Sequence, residues 1–326
     1  MPSLQSLAYN RLIGVTDFLF YTNDCSDGTD ALLDAMGDYG VTRLPNPAKG
    51  RNYQMEALKH AARHPLVTGA DWVWVADVDE FLNIHAGDHT LPALIEACGN
   101  PQAISVTFQF FANDGIEAYE DRPVIQQFTR THNPDLWCAE TAIEVKTLVR
   151  RDFPLHYYGA HRPFFRDRPQ VAPPVWTDGS GRPVPPKFLG AANPRRIRKF
   201  PAAGARHHAT LNHYALRSLD SYIVKNDRGD VNREGRAFDD TYWRERNDSA
   251  WEDLSILRHL PALDTALAKM KRGPLGALHA ASVAAHRARR DALLTDPAFA
   301  KMRGQLKALP PYPPGEPELM TELGLA

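Results

Sequence analysis

Residues 73–84 read VWVADVDEFLNI. In this stretch an apolar run ends in three carboxylates within four positions, Asp77, Asp79 and Glu80. Carboxylates so close together repel one another, and beside buried apolar residues they are costly unless a positive partner joins them. The stretch therefore predicts a buried strand that ends in a charged site, and it requires a cation nearby.

The rest of the first half alternates between strand and helix patterns. Strand patterns cover 16–22, 41–44, 71–76 and 103–111, and helical patterns cover 30–40, 52–64 and 91–99. The strand at 71–76, DWVWVA, does not alternate between apolar and polar residues, as is typical of a parallel strand buried on both faces. The order of strands and helices indicates a right-handed α/β sheet flanked by helices.

The pattern changes after about residue 150, where the chain becomes rich in proline. Nine prolines lie between residues 163 and 201, so a loop is predicted over 163–210. Its later part, PRRIRKFPAAGARHH at 194–208, carries five lysine or arginine side chains and no acid.

Helical patterns return at 211–229, with Gly229 as the stop, and fill the chain from residue 240. The chain therefore divides into a core domain at 1–235, which includes the proline-rich and basic loop, and a helical extension with a tail at 236–326. No internal repeat is present.

Composition and charge exclude several classes of protein. The chain has 326 residues and a formal net charge of −1, which argues against a general nucleic-acid binder. No apolar run approaches the roughly 20 residues that span a bilayer, so no transmembrane segment is expected and peripheral membrane contact stays open. Cys25, Cys98 and Cys138 suit neither a disulfide framework nor a zinc site, and a cytoplasmic location is expected.

The position of Asp77 and Asp79 suggests what the carboxylates bind. Ligands of open α/β sheets bind at the carboxyl ends of the strands, and alternate residues of an extended segment point the same way. The natural partner is Mg²⁺ or Mn²⁺, which takes oxygen ligands and completes its shell with substrate phosphates and water. The alternative is structural: either aspartate caps the next helix or pairs with an arginine.

Two longer stretches, with a third motif, resemble a known family. The two stretches are RLIGVTDFLFYTNDCSDGT at 11–29 and WVWVADVDEFL at 72–82, and a predicted helix that contains Gln54 lies between them. The third motif is His213-Tyr214. Together they resemble glycosyltransferase family-two-like proteins of the GT-A fold, and more narrowly the bacterial subgroup related to the family once known as domain of unknown function 23. The resemblance covers about residues 5 to 230, and the order and spacing of the motifs are its specific feature.

The resemblance implies a GT-A-like, mostly parallel sheet and transfer of a sugar from a nucleotide-sugar. In such a reaction a divalent cation stabilises the charge that develops on the leaving diphosphate. The resemblance makes Asp79 the metal ligand, and Asp77 a ribose contact or a ligand through water. It makes His213 a later metal ligand, suited to Mn²⁺. A helix cap or a packed side chain is the alternative for His213.

Other residues would bind the nucleotide-sugar by the same resemblance. Asn23 and Asp24 fall near the nucleoside, with Asp27 in the same turn, and Arg51 and Gln54 fall near the nucleotide. The alternatives are that NDCSDGT is an ordinary turn and that Arg51 is a solvated charge at a helix start. The basic run at 194–208 steers phosphate or is a solvated loop.

An inverting transfer also needs a carboxylate that accepts the proton of the acceptor hydroxyl. The candidates are Asp114, Glu140 and Glu144. We prefer Glu140 because the nearby Trp137 offers a face on which a sugar ring stacks, although core packing is the commoner fate of tryptophan.

The sequence thus predicts a metal-dependent glycosyltransferase that uses a nucleotide-sugar donor and a glycan or glycolipid acceptor. One alternative is an inactive carbohydrate-binding or scaffold protein that keeps the fold. Another is a nucleotidyltransferase, which also uses paired carboxylates and metal.

A last expectation concerns the start of the chain. The GT-A pattern begins with a strand inside the sheet, whereas Met1 already lies at the start of a helical pattern, LQSLAYNRLIG. A missing first strand would leave unpaired backbone groups on its two neighbours, the strands at 16–22 and 71–76. We therefore expect the native protein to extend further upstream, or this form to be less stable.

Overall fold

The computed structural model describes residues 4–134, 142–165, 172–189, 199–229, 240–312 and 315–322, and Gly324. The strands are, in chain order, β1 (Phe18–Thr22), β2 (Val41–Pro45), β3 (Trp72–Trp74), β4 (Glu80–Ile84), β5 (Ala103–Phe110), β6 (Arg130–Thr131), β7 (Ala142–Arg150), β8 (Leu155–Tyr158), β9 (Pro163–Phe165), β10 (Trp176–Asp178), β11 (Lys199–Pro201), β12 (Ala209–His213) and β13 (Trp251–Glu252).

The α-helices are, in chain order, α1 (Leu4–Leu12), α2 (Thr29–Asp34), α3 (Tyr53–Ala61), α4 (Pro65–Gly69), α5 (Leu91–Ala97), α6 (Val124–Gln127), α7 (Pro186–Leu189), α8 (Leu219–Arg228), α9 (Asp240–Arg244), α10 (Leu260–Met270), α11 (Pro274–Leu294), α12 (Pro297–Lys307) and α13 (Glu316–Glu322). Two short 3-10 helices cover Gly37–Tyr39 and Ser255–His259.

The largest sheet in the described part of the chain has seven strands, with β7 and β5 at its centre. One edge of β7 is lined by the short strands β3 and β11, and the far edge of β5 is lined by β10 and β12. Beyond β12 lies β4, so β12 is held between β5 and β4. Every residue of β4 and β5 is buried, including five polar ones: Glu80, Asn83, Ser105, Thr107 and Gln109.

Four of the six strand pairings in this sheet are antiparallel, so the predicted mostly parallel arrangement is not confirmed. The prediction took the absence of alternation in DWVWVA as a sign of parallel pairing. That absence indicates only that both faces are covered. Strand β3 in fact runs antiparallel to β7, with Trp74 opposite Leu148. The mixed α/β architecture itself is compatible with an α/β glycosyltransferase fold.

Strands β1 and β2 form a separate parallel pair, with Phe18 opposite Val41. Among the described residues, β1 pairs with β2 alone and β3 pairs with β7 alone. The predicted strands at 16–22, 41–44 and 103–111 are confirmed within a few residues, as are helices α3 and α5.

The predicted helix at 211–229 is wrong in its first part. Residues up to His213 form β12, and helix α8 begins only at Leu219, after Ser218, whose hydroxyl accepts a hydrogen bond from the Ser221 backbone N–H at 3.2 Å. The apolar spacing suits a helix locally, but pairing with β4 and β5 in the core outweighs this local preference. Gly229 ends the helix as predicted.

The second half of the chain packs against the first. Helix α10 packs on α1, helix α11 packs on both α8 and α2, and α12 packs on α8. The proline-rich range 163–210 is not all loop, because β9, β10, α7 and β11 lie inside it and β10 and β11 join the main sheet. The domain division at residue 235 stays a prediction.

No helix in the described part of the chain combines the length and the apolar character needed to cross a membrane. Cys25 is exposed and Cys98 is buried, and both are unpaired, whereas Cys138 lies outside the described residues. The cytoplasmic location stays a prediction.

Candidate functional site

Residues 77–80 form a tight turn between β3 and β4. The backbone N–H of Glu80 donates to the carbonyl of Asp77 at 3.1 Å, and the Glu80 carboxylate accepts from the backbone N–H of Asp77 at 2.9 Å. The carbonyl of Asp79 accepts from the backbone N–H of Tyr214, just after β12, at 2.9 Å. These bonds fix the backbone of the turn and tie it to the strand that carries His213.

The cation that the acidic turn requires is Lys146, on the neighbouring strand β7. Its side chain is only 1% exposed, and its Nζ lies 2.9 Å from an Asp77 carboxylate oxygen and 3.4 Å from a Glu80 oxygen. Asp77 therefore pairs with a lysine, whereas the structural alternative expected a helix cap or an arginine.

The charges of this cluster set one another's pKa values. The nearby Lys146 lowers the pKa of Asp77. Burial raises the pKa of Glu80 well above its ordinary value, and Lys146 opposes that rise. Burial also acts to lower the pKa of Lys146, but Asp77 and Glu80 outweigh it and raise this pKa. Lys146 therefore stays charged and counterbalances the turn from within the protein.

Asp79 points away from Lys146, towards His213 and Lys225. Its carboxylate oxygens lie 3.7 Å from Nε2 of His213 and 3.5 Å from Nζ of Lys225. Burial acts to raise the pKa of Asp79, but Lys225 and His213 outweigh it and hold the pKa far below its usual range. Burial lowers the pKa of His213 to about 4. At neutral pH Asp79 is therefore a carboxylate that faces a neutral imidazole.

This pair fits a divalent cation. A carboxylate and a neutral imidazole are ligands that Mn²⁺ accepts, and Nε2 of His213 is the ring nitrogen that faces the Asp79 carboxylate. In the described part of the chain no group of three or more His, Cys, Asp or Glu side chains is arranged to hold a metal ion. Asp79 and His213 would therefore supply only part of a coordination shell, and substrate oxygens or water would supply the rest.

A large cleft of about 1560 Å³ opens beside this pair. One wall is the turn after β1 and the start of α3, and the opposite wall is α8 with part of α11. Lys225, which contacts Asp79, lies in the lining, as does Val78 of the acidic turn. The cleft therefore reaches the acidic turn at Val78 and Lys225, whereas Asp79 and His213 lie just behind this lining and are not part of it.

The structure brings together most of the residues predicted to bind the nucleotide. Asn23, Asp24, Asp27 and Arg51 all line the cleft, whereas Gln54, one residue beyond the lining Tyr53, does not. The turn reading of NDCSDGT also holds, because the Asp27 carboxylate accepts the backbone N–H of Thr29 at 3.1 Å and Gly28 has φ 77°. Asp77 is 53% exposed but is not part of the cleft lining, so its predicted ribose contact stays a prediction.

The three candidates for the catalytic base lie in different parts of the chain, and two of them are described by the structure. Asp114 is exposed on the turn after β5 and does not line the cleft. Burial raises its pKa, and Arg130 acts against that rise. Glu144 lies half-buried on β7. Glu140, with the stacking candidate Trp137, lies outside the described residues, as do residues 190–198 of the basic loop.

Sequence reasoning missed three cations of the site, which are Lys146, Arg217 and Lys225. A signal existed for Lys146, because it is the only charged residue in the otherwise apolar or neutral run VKTLV at 145–149. A lone lysine in a buried strand needs a carboxylate partner. Arg217 and Lys225 had no such local signal.

A comparison with known families bears on the part of the chain that holds the acidic turn. Glycosyltransferase family 92 matches residues 4–158, which include Asp77, Asp79 and Lys146. None of the curated proteins matches the chain. The narrower assignment to the family-two-like subgroup stays a prediction. Over residues 4–158 the chain is similar to glycosyltransferase family 92, and this similarity supports glycosyltransferase activity in general terms.

Proposed function

We propose that the protein is a metal-dependent glycosyltransferase of the GT-A type, related to the family-two-like subgroup. It would move a sugar from a nucleoside diphosphate sugar to a glycan or glycolipid acceptor. The observation that carries the proposal is the pair of Asp79 and His213, which face each other at 3.7 Å beside a cleft large enough for such a donor. The match to family 92 over the acidic turn supports the same reaction class.

The chemistry follows from the proposed donor. The bond between the anomeric carbon and the diphosphate oxygen breaks, its electron pair stays on the diphosphate, and the acceptor oxygen bonds to the anomeric carbon. The acceptor proton passes to a carboxylate of the protein. Mn²⁺ or Mg²⁺, held by Asp79 and His213, would stabilise the charge that grows on the diphosphate.

The protein's own residues have separate roles in this proposal. Lys146 counterbalances Asp77 and Glu80, whereas Asp79 faces His213 and Lys225. The turn at 23–27 and Arg51 bind the nucleoside part of the donor across the cleft. Glu140 remains our first candidate for the base of an inverting transfer, and Asp114 the second.

Asp79→Asn tests the metal site. The change keeps the size of the side chain but removes its charge, so the enhancement of UDP or GDP binding by Mn²⁺ should disappear. The measurement is calorimetric titration of each nucleotide with and without Mn²⁺. Asp71→Asn is the matched control, because Asp71 lies just before β3 and its side chain is 90% exposed. Metal-enhanced binding that survives in Asp79→Asn contradicts the proposal.

One observation favours a rival without metal. Lys146 and Lys225 already neutralise the acidic turn, as a binding or scaffold protein would require. The products separate the rivals. A transferase slowly releases nucleoside diphosphate from a donor sugar, a nucleotidyltransferase releases pyrophosphate from a nucleoside triphosphate, and a scaffold releases neither.

A further inference from the structure

Arg217 has an unusual backbone in the loop between β12 and α8. Its φ is 57°, in the left-handed region that residues other than Gly, Asn and Asp rarely adopt. The conformation is held in place because the Asn113 amide donates to the Arg217 carbonyl at 2.7 Å. Strain of this kind persists where the surrounding structure enforces it, and it is common at ligand sites. The fold therefore fixes the backbone position from which the Arg217 side chain extends.

The Arg217 guanidinium lacks a protein partner in the described part of the chain. Six lysine or arginine side chains line the cleft, and three of them pair with carboxylates: Arg122 with Glu120, Lys225 with Asp79 and Arg289 with Asp227. The three that do not are Arg51, Arg217 and Arg228.

Arg217 differs from the other two unpaired arginines in its burial. Arg51 and Arg228 are exposed and solvated, whereas Arg217 is half-buried and its Nε is buried without a hydrogen-bond partner. A buried guanidinium donor without an acceptor is costly in free energy. The cost is recovered when an anion enters the cleft and accepts from it.

Among the described residues, no carboxylate forms an ion pair with Arg217. The nearest acids along the chain are already engaged, since Asp220 pairs with Arg290 and Arg303. Burial, together with the charge of Arg217, lowers the pKa of His286 to about 4, so this neighbour adds no charge at neutral pH. The charge of Arg217 also helps to lower the pKa of Asp79, after the larger effects of burial, Lys225 and His213. Arg217 is therefore close enough to Asp79 and to His286 of α11 to influence both.

We propose that Arg217 binds the β-phosphate of the nucleoside diphosphate, an inference that rests on the proposed function. The guanidinium is planar and offers donors in the fork geometry that matches two phosphate oxygens. Lys225 and the Asp79 and His213 pair would lie on the other side of the same phosphate. As the sugar leaves, the charge that appears on the β-phosphate would be shared by the guanidinium.

The test compares Arg217→Gln with Arg228→Gln, which removes an exposed charge that has no ion-pair partner among the described residues of the same cleft. Calorimetry with UDP, GDP, UMP, GMP and inorganic pyrophosphate gives the affinities. Arg217→Gln should weaken the bound nucleoside diphosphate and pyrophosphate by roughly 10- to 100-fold, the usual effect of losing charged hydrogen bonds. Binding of the monophosphates, and all binding by Arg228→Gln, should change by no more than about threefold.

The outcomes separate the two proposals. If the unaltered protein binds neither nucleoside diphosphate nor pyrophosphate, the proposed function fails and this inference fails with it. If it binds them and Arg217→Gln binds them as tightly, only the inference fails. Equal losses for diphosphates and monophosphates also overturn it, because the contact would not be with the β-phosphate.

A second measurement needs no altered protein. Phenylglyoxal, which modifies arginine, should label Arg217 in the free protein, and pyrophosphate should protect that position in peptide mass spectra while Arg228 stays labelled. An unlabelled Arg217 in the free protein, or equal labelling with and without pyrophosphate, contradicts the inference, because the guanidinium has to be open to the cleft and to the anion.

Discussion

Replacing Lys146 by methionine should destabilise the protein by about 3 kcal/mol. The change keeps the volume of the side chain and removes the only ammonium that contacts both Asp77 and Glu80 in the described structure. The two carboxylates contribute unequally. Asp77 is 53% exposed and is solvated when its partner is lost, so its share is at most about 1 kcal/mol.

Glu80 contributes the larger share because its side chain is fully buried. A buried polar group left without its partner costs about 1–3 kcal/mol. Urea unfolding, monitored by fluorescence and circular dichroism, measures the difference. Lys59→Met is the control, because Lys59 also pairs with a glutamate but is 60% exposed, and its loss should cost less than about 0.5 kcal/mol.

The double variant Glu80→Gln with Lys146→Met isolates the pair. The introduced side-chain amide keeps an oxygen that accepts the Asp77 backbone N–H and needs no counter-ion, so the double variant should regain about 1–3 kcal/mol over Lys146→Met. If Lys146→Met unfolds within about 1 kcal/mol of the unaltered protein, or the double variant regains nothing, the account of the acidic turn is refuted.

Two further predictions concern the cleft. Asp121, which contacts His279 at 2.9 Å and Lys271 at 3.0 Å, has its pKa lowered to about 2 by its hydrogen bond to His279, with burial opposing and Lys271 adding to the effect. Asp121→Asn should therefore lower the unfolding free energy by about 1 kcal/mol above pH 5. The difference between the variant and the unaltered protein should vanish as the pH falls through 2. A difference that persists at pH 2 would show that the charge of Asp121 is not its cause. Arg217→Gly should relieve the left-handed backbone and raise the unfolding free energy by up to about 1 kcal/mol while weakening nucleoside diphosphate binding; a lower melting temperature would show that the side chain is structural.

The parts of the fold that depend on short-range pattern could be predicted. Strands β1, β2 and β5 and helix α3 lie close to where the apolar runs and turns place them, because each pattern is complete within its own segment. Strand β12 could not be predicted, because its sequence also suits a helix and its strand state depends on partners at 80–84 and 108–110. The direction of the pairings depends on similar long-range contacts.

The residues of the candidate site also divide into those that local sequence predicts and those that depend on long-range contacts. The carboxylates at 77–80 stand out in the sequence because three acids beside an apolar run are rare without a reason. The cations that contact them come from other strands and helices, and nothing near Lys225 in the sequence indicates that it faces Asp79. A charged cluster therefore indicates that a counter-ion exists but does not say which residue supplies it.

The position of β12 has a consequence for how the protein folds during synthesis. Strand β12 lies between β4 and β5, yet it is synthesised long after both of them. Until it arrives, the facing edge of β4 and the 108–110 part of the β5 edge have no strand partner among the described residues, and pairings between distant segments form slowly. The step that fills this gap also brings His213 to Asp79. The emerging chain therefore cannot pair these two residues before its sheet closes, and a nascent chain stalled before residue 209 would expose two apolar strand edges to aggregation.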